Sequence, residues 1–151
     1  MPVDPTLTFV QDFHSTFDAI LYSGLVVLGV LPKGKGGVER SAGMILFRNT
    51  PEGRKYLVIR SSRGASIIAE KKKIKEFWDL PKGILEKGEK ATDTARREVK
   101  EEVGVADLEI TPDFKETVRY FTWREGKSIL KFAALFLAEV KTDKIKLSWE
   151  H

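Results

Sequence analysis

The segment GILEKGEKATDTARREVKEEVGV, residues 83–105, carries the strongest pattern in the chain. Ala91, Ala95, Val99 and Val103 recur every four residues, which predicts a helix over 91–103 with one apolar stripe. Gly104 stands where a left-handed C-cap belongs. Glu98, Glu101 and Glu102 stand at i, i+3 and i+4, a spacing that predicts three carboxylates on one face, opposite the stripe. Three crowded anions repel unless a cation joins them. A divalent metal is the natural partner, and carboxylate oxygens suit Mg²⁺. Arg97 can offset part of the charge, and its planar fork suits Glu89 or Glu101. A bare ExxEE is more often a solvated acidic face, so the surrounding residues must decide.

Working outward, Leu80-Pro81-Lys82-Gly83 opens the segment, and the same four residues occur earlier at 31–34. A Pro-Lys-Gly turn alone marks only a loop. Residues 32–40 are rich in Gly and Lys and read as a linker or exposed loop. Residues 41–48 and 55–60 are strand-like runs around the turn signal at 49–53. Later strands are predicted at 108–111, 114–122 and 128–140, the last two flanking a hairpin turn at 124–127. Strands, one strong helix and strands again predict a mixed α/β or α+β domain. The lysine cluster at 71–75 reads first as a solvated loop and second as a phosphate contact.

Composition limits the chemistry. The 151 residues are the size of one ordinary domain, and 42% are hydrophobic, enough for a core. There is no cysteine, which excludes disulfides and thiolate metal sites and makes a reducing, cytoplasmic setting the default. His14 and His151 are the only histidines, so a zinc site built on imidazoles is excluded too. Any metal is held mostly by oxygen, which favours Mg²⁺ or Mn²⁺. The formal charge of +4 suits an anionic small molecule and nucleic acid equally. The apolar run at 19–31 is shorter than the roughly 20 residues that span a membrane. No Lys or Arg precedes it in residues 1–18, as a secretory signal requires, so it reads as a buried strand or packed helix.

Residues 83–105 resemble the signature of the Nudix, or MutT-like, hydrolases: Gly-x5-Glu-x7-Arg-Glu-U-x-Glu-Glu-x-Gly-U, with U aliphatic. Gly83, Glu89, Arg97, Glu98, Glu101, Glu102 and Gly104 fill every fixed position, with Val99 and Val105 as the aliphatics. If each fixed residue recurs at about one in fifteen, seven chance matches are of order 10⁻⁸ per start site. The first LPKG fails the template, because Arg40 stands where Glu is needed. It is a turn; the second copy opens the box.

The resemblance implies an α/β/α sandwich around a mixed sheet, with a loop–helix–loop catalytic box and metal-dependent cleavage of a diphosphate bond in a nucleoside diphosphate linked to X. It implies Glu98 and Glu102 as principal metal ligands, Glu101 as a further one, and the backbone carbonyl of Lys82 or Gly83 beside them. Glu89 and Arg97 would hold the box together. Glu98 is favoured as general base, then Glu102, with Glu150 as a distant-loop candidate.

The flanks at 40–43, 78–83, 137–140 and 147–151 are similar to the animal and archaeal diadenosine tetraphosphate hydrolases, which give ATP and AMP. Tyr120 falls where those enzymes stack an aromatic on adenine, Lys82 and Lys131 where they place cations near phosphates, and Trp78, at the box, is a fourth substrate-binding candidate. An ordinary strand aromatic explains Tyr120 equally well. The chain departs from the pattern in three ways. Its segment between Arg60 and Trp78 is longer, and residues 1–37 form an extension without a recognised counterpart, ahead of a Nudix domain at 38–151. It also stops at His151, where relatives continue with a strand and a C-terminal helix. Either the N-terminal apolar segment covers that face, or the chain is a piece of a longer one. Three other functions compete: removal of oxidised nucleoside triphosphates, RNA 5′-end pyrophosphatase activity, and a non-catalytic module that binds nucleotide or a protein partner.

Overall fold

The central pair of strands is apolar on both faces, and the rest of the molecule is arranged around it. The structure, a computed structural model, describes residues 7–10, 35–61, 77–124, 126–142 and 144–146. Strands β1 (Leu7–Val10), β2 (Lys35–Thr50), β3 (Gly53–Ser61), β4 (Phe77–Asp79) and β5 (Lys82–Ile84) precede helix α1 (Ala91–Val103). Strands β6 (Leu108–Ile110), β7 (Glu116–Arg124) and β8 (Lys127–Val140) follow it. All eight described strands join one mixed sheet.

β2 and β8 run parallel, in register from Val38↔Leu130 to Phe47↔Glu139. Side chains alternate across them. Ala42, Met44 and Leu46 point one way, with Phe136, Ala138 and Val140, and bury Ala95, Val99 and Val103 of α1. Ile45 and Leu135 point the other way and pack with Val58, Leu80, Trp78 and Val118. Burial on both faces is why residues 42–47 read as an unbroken apolar run.

Helix α1 spans the predicted 91–103. Asp93 in its first turn and Lys100 in its last complement the helix dipole. Gly104 ends it at φ 70°, and its N–H bonds Lys100 O at 3.1 Å. The β7–β8 hairpin closes at Arg124↔Lys127, with Gly126 at φ 73°. Residues 32–40 depart from expectation, because Lys35–Arg40 begin β2 rather than a loop. Ladder hydrogen bonds to β8 outweigh the local Gly and Lys content, and the exposed Val38 marks this as the strand's outer end. β1, within the N-terminal extension, adds a strand to β3 from Leu7↔Ile59 to Val10↔Tyr56.

One feature of the topology positions the site. β2 pairs with β3 over Phe47–Thr50 but with β5 over Ser41–Gly43. β4 pairs with β3, so the chain crosses the resulting fork through Leu80 and Pro81. Both are buried, and Met44 N–H bonds Pro81 O at 3.1 Å. Gly43 is required there, since a Cβ would strike the Pro81 carbonyl and Lys82.

The described residues thus form an α+β arrangement, one mixed sheet with a single helix packed on it. Among the described residues no helix is long and apolar enough to cross a membrane. The apolar run at 19–31, the lysine cluster at 71–75 and the tail carrying Glu150 lie outside the described residues.

Candidate functional site

Arg97 is the hub of the box. Its Nε bonds Glu89 Oε1 at 2.9 Å and its Nη2 bonds Glu89 Oε2 at 3.1 Å, a two-pronged pair. Nη1 reaches Glu98 Oε1 at 2.7 Å and Glu101 Oε2 at 3.2 Å. Nη2 also bonds the Ile84 carbonyl at 3.2 Å, tying helix to β5. Glu89 Oε2 further accepts the Thr94 hydroxyl at 2.7 Å and the Glu86 N–H at 3.0 Å. Arg97, Thr94 and the Glu86 amide together hold the Glu89 carboxyl down at about 2, against an ordinary 4.5. Glu89 in turn raises the pKa of Arg97. The expected bracing of Glu89 by Arg97 is therefore present, and the same guanidinium holds Glu98 and Glu101.

The three helix carboxylates do not share one solvent face. Glu98 is buried, Glu102 half-buried and Glu101 exposed. At about 100° per residue, Glu98 and Glu102 flank the apolar stripe on the same side, whereas Glu101 lies across from it. An i+3/i+4 count places neighbours but not the edge of the stripe. Glu98 lies against Gly83, where a Cβ would fall on its carboxylate. Burial above all, with the charges of Asp79, Glu98 and Glu101 behind it and Lys82 opposing, raises the Glu102 carboxyl to about 8. Among the described residues no three acidic or imidazole side chains converge as a ready metal cage, since Glu101 is drawn to Arg97.

Cations line the other side of the fork. Lys82 is ion-paired with Asp79, three residues earlier. Burial works against the Lys82 charge, but Asp79, Tyr120 and Glu102 more than offset it and raise its pKa. Lys131 Nζ pairs with Glu39 Oε1 at 3.0 Å across β8 and β2. Tyr120 lies opposite Lys131 in the β7–β8 ladder, so Glu39, Lys131 and Tyr120 form one row across three strands. Burial raises the Tyr120 hydroxyl, and Lys82, Asp79 and Glu39 are near enough to act on it. Tyr120 is two residues beyond Val118, hence on the same sheet face as the half-buried Trp78.

The structure thus links these residues in a chain: Lys82 lies close enough to both Tyr120 and Glu102 to feel their charge, and Lys131 is the cross-strand neighbour of Tyr120, while Glu98 and Gly83 meet on the helix side. Glu101 belongs to the Arg97 network, and Trp78 contributes chiefly to packing on Leu80 and Val58. Three residues were not singled out from sequence: Asp79, Thr94 and Glu39. The i, i+3 spacing of Asp79 and Lys82 is a legible signal. Glu39 gives none, because its lysine is distant in sequence.

Carboxylates and cations arranged in this way suit a polyphosphate: the cations hold phosphoryl oxygens, and the carboxylates hold a cation or take a proton. Residues 38–150 match the NUDIX domain. The asymmetrical bis(5′-nucleosyl)-tetraphosphatase of Sus scrofa is 32% identical over 124 residues, 74% of this chain and 74% of that protein. The RNA pyrophosphohydrolase of a Nitratiruptor species is 38% identical over 53 residues, 35% of this chain and 34% of its own. Among solved structures, a binary complex of the C. elegans Ap4A hydrolase aligns with a TM-score of 0.57 and 28% identity, covering 75% of this chain and 74% of that one. With its box intact on helix α1, the chain belongs to the Nudix hydrolases, enzymes that act on diphosphate bonds.

Proposed function

We propose that this enzyme cleaves diadenosine tetraphosphate asymmetrically, to ATP and AMP, with Mg²⁺ or Mn²⁺ as cofactor. The observation that carries the reading is the extent of the likeness. Similarity to the Sus scrofa tetraphosphatase runs through three quarters of both chains, whereas the matches to RNA pyrophosphohydrolases of Nitratiruptor and Bartonella henselae cover 53 and 82 residues, 35% and 54% of this chain. Tyr120 and its cross-strand neighbour Lys131, with Lys82 near Tyr120, support the same substrate, with an aromatic to stack on adenine and cations for a long phosphate chain.

The donor chemistry fits a hard divalent cation. Glu98 and Glu102 offer carboxylate oxygens from one flank of α1, and the Lys82 or Gly83 carbonyl offers a neutral oxygen beside them. The crowding of Asp79, Glu98 and Glu101 around Glu102 is of the kind a cation relieves. Glu101, paired with Arg97 here, would be a further ligand in this reading. When bound, the metal neutralises the diphosphate and lowers the pKa of a coordinated water.

The chain's own residues do the rest. Glu98, oriented through Oε1 by Arg97, takes the proton of the attacking water. Water oxygen bonds to one phosphorus, the bridging P–O bond breaks, and the leaving phosphate keeps the bridging oxygen. Lys82 and Lys131 hold the phosphates, while Glu89 and Arg97 keep the box in shape. Glu102 is the alternative base within the box, and Glu150 the candidate outside it.

The test is product analysis. Purified protein with Mg²⁺ and diadenosine tetraphosphate, resolved by ion-exchange chromatography, should give ATP and AMP in equal amounts. Two molecules of ADP, or no turnover beside rapid release of pyrophosphate from RNA 5′-triphosphate or an oxidised nucleoside triphosphate, would overturn the assignment. The RNA reading has its own support, in several relatives named RNA pyrophosphohydrolase. A steep salt dependence of RNA binding would strengthen it.

A further inference from the structure

Asp79 lies outside the box, and the family signature gives it no role. Among the described residues it is the ion-pair partner of the Lys82 ammonium. Its Oδ1 also accepts the Leu80 N–H at 2.8 Å, so the backbone fixes the carboxylate before the lysine arrives. The Lys82 backbone is fixed as well, paired with Gly43 in a contact too close for any Cβ. With both ends of its side chain set, Lys82 has little freedom. Both charged groups lie within electrostatic reach of Glu102.

A lysine beside a half-buried carboxylate has an obvious alternative partner. If the Lys82 ammonium turned to Glu102, it would occupy oxygens that a divalent cation needs. An exposed i, i+3 ion pair would be worth little. Here the two side chains are only 19% and 26% exposed, and the competing Glu102 carboxylate is near enough to act on the lysine's charge. We propose that Asp79 is a positioning residue that holds the Lys82 ammonium off Glu102, leaving Glu102 open to the metal and Lys82 turned toward the substrate phosphates. The inference rests on the box as the metal site.

Metal binding tests it without turnover. Free Mn²⁺ is counted by electron paramagnetic resonance in titrations of wild type, Asp79→Asn, Lys82→Met and the double variant, each checked by thermal melting. Asp79→Asn should weaken Mn²⁺ binding roughly tenfold, the scale of lost outer-shell support. In the Lys82→Met background the same substitution should change affinity by no more than about twofold, because no ammonium remains to be misplaced. Asp79→Glu should recover most of the loss. Equal Mn²⁺ affinity in wild type and Asp79→Asn would overturn the proposal. So would an equal loss in both backgrounds, which would mean that Asp79 acts through its own field. Absence of Mn²⁺ binding by wild type would instead overturn the reading of the box as a metal site, and the proposal with it.

Discussion

Gly83 has no room for a side chain, because a Cβ there would fall on the Glu98 carboxylate. The obstacle is the far end of a movable side chain, so Gly83→Ala should cost little stability, under about 1 kcal/mol. Displacing Glu98 by an ångström should nevertheless cut turnover about a hundredfold. A melting curve and a kcat for this one variant check both halves. Glu89 allows a prediction in pH. Its carboxyl titrates at about 2 in the folded protein against an ordinary 4.5, so its contribution to stability is complete above 4.5. That contribution is lost as pH falls from 4.5 toward 2. Glu89→Gln should therefore melt lower than wild type at pH 7, and the gap should narrow steadily below pH 4.5. A gap unchanged at pH 3 would show that the Arg97 pairing does not stabilise the fold. The Glu89–Arg97 pair was legible from the box spacing. The Glu39–Lys131 pair was not, since only the parallel register of two distant strands brings those residues together.

The helix was the most legible element, because its apolar period, capping glycine and length all agreed. Its orientation was less so: spacing gave three neighbouring glutamates, but contact with the sheet made Glu98 buried and Glu101 exposed. The start of β2 was not legible, because its Gly and Lys suggest a loop and only pairing with β8 makes it a strand. The fork between β3 and β5 was not legible at all, since it depends on one strand changing partners along its length. That fork yields a contrast with Gly83. At Gly43 a Cβ would meet the Pro81 carbonyl and the Lys82 backbone, which cannot swing aside. Gly43→Ala should thus destabilise the protein by about 1–3 kcal/mol, as overpacking does. It should lower thermal stability and turnover together, whereas Gly83→Ala separates them. Chemical denaturation of the two variants side by side checks the distinction.

At the scale of the molecule, one sheet face is covered by α1, and the other carries Ile45, Leu135, Trp78 and Val118 toward the row of Tyr120 and Lys131. The order of strands and helix announced a mixed α/β or α+β domain, and the resemblance of the box announced a sheet with helices packed on it. The row of Glu39, Lys131 and Tyr120 emerged only from strand register. Helix and fork meet where Glu98 lies against Gly83 and Glu102 faces Lys82, and the proposed chemistry stands or falls there. The decisive measurement is the steady-state rate on diadenosine tetraphosphate with saturating Mg²⁺ for Glu98→Gln and Glu102→Gln beside wild type, with a melting curve for each. Both variants should keep a wild-type fold and lose at least about a hundredfold in turnover, the scale of a lost metal ligand or general base. Near wild-type rates in both would contradict the assignment of the box as the catalytic centre.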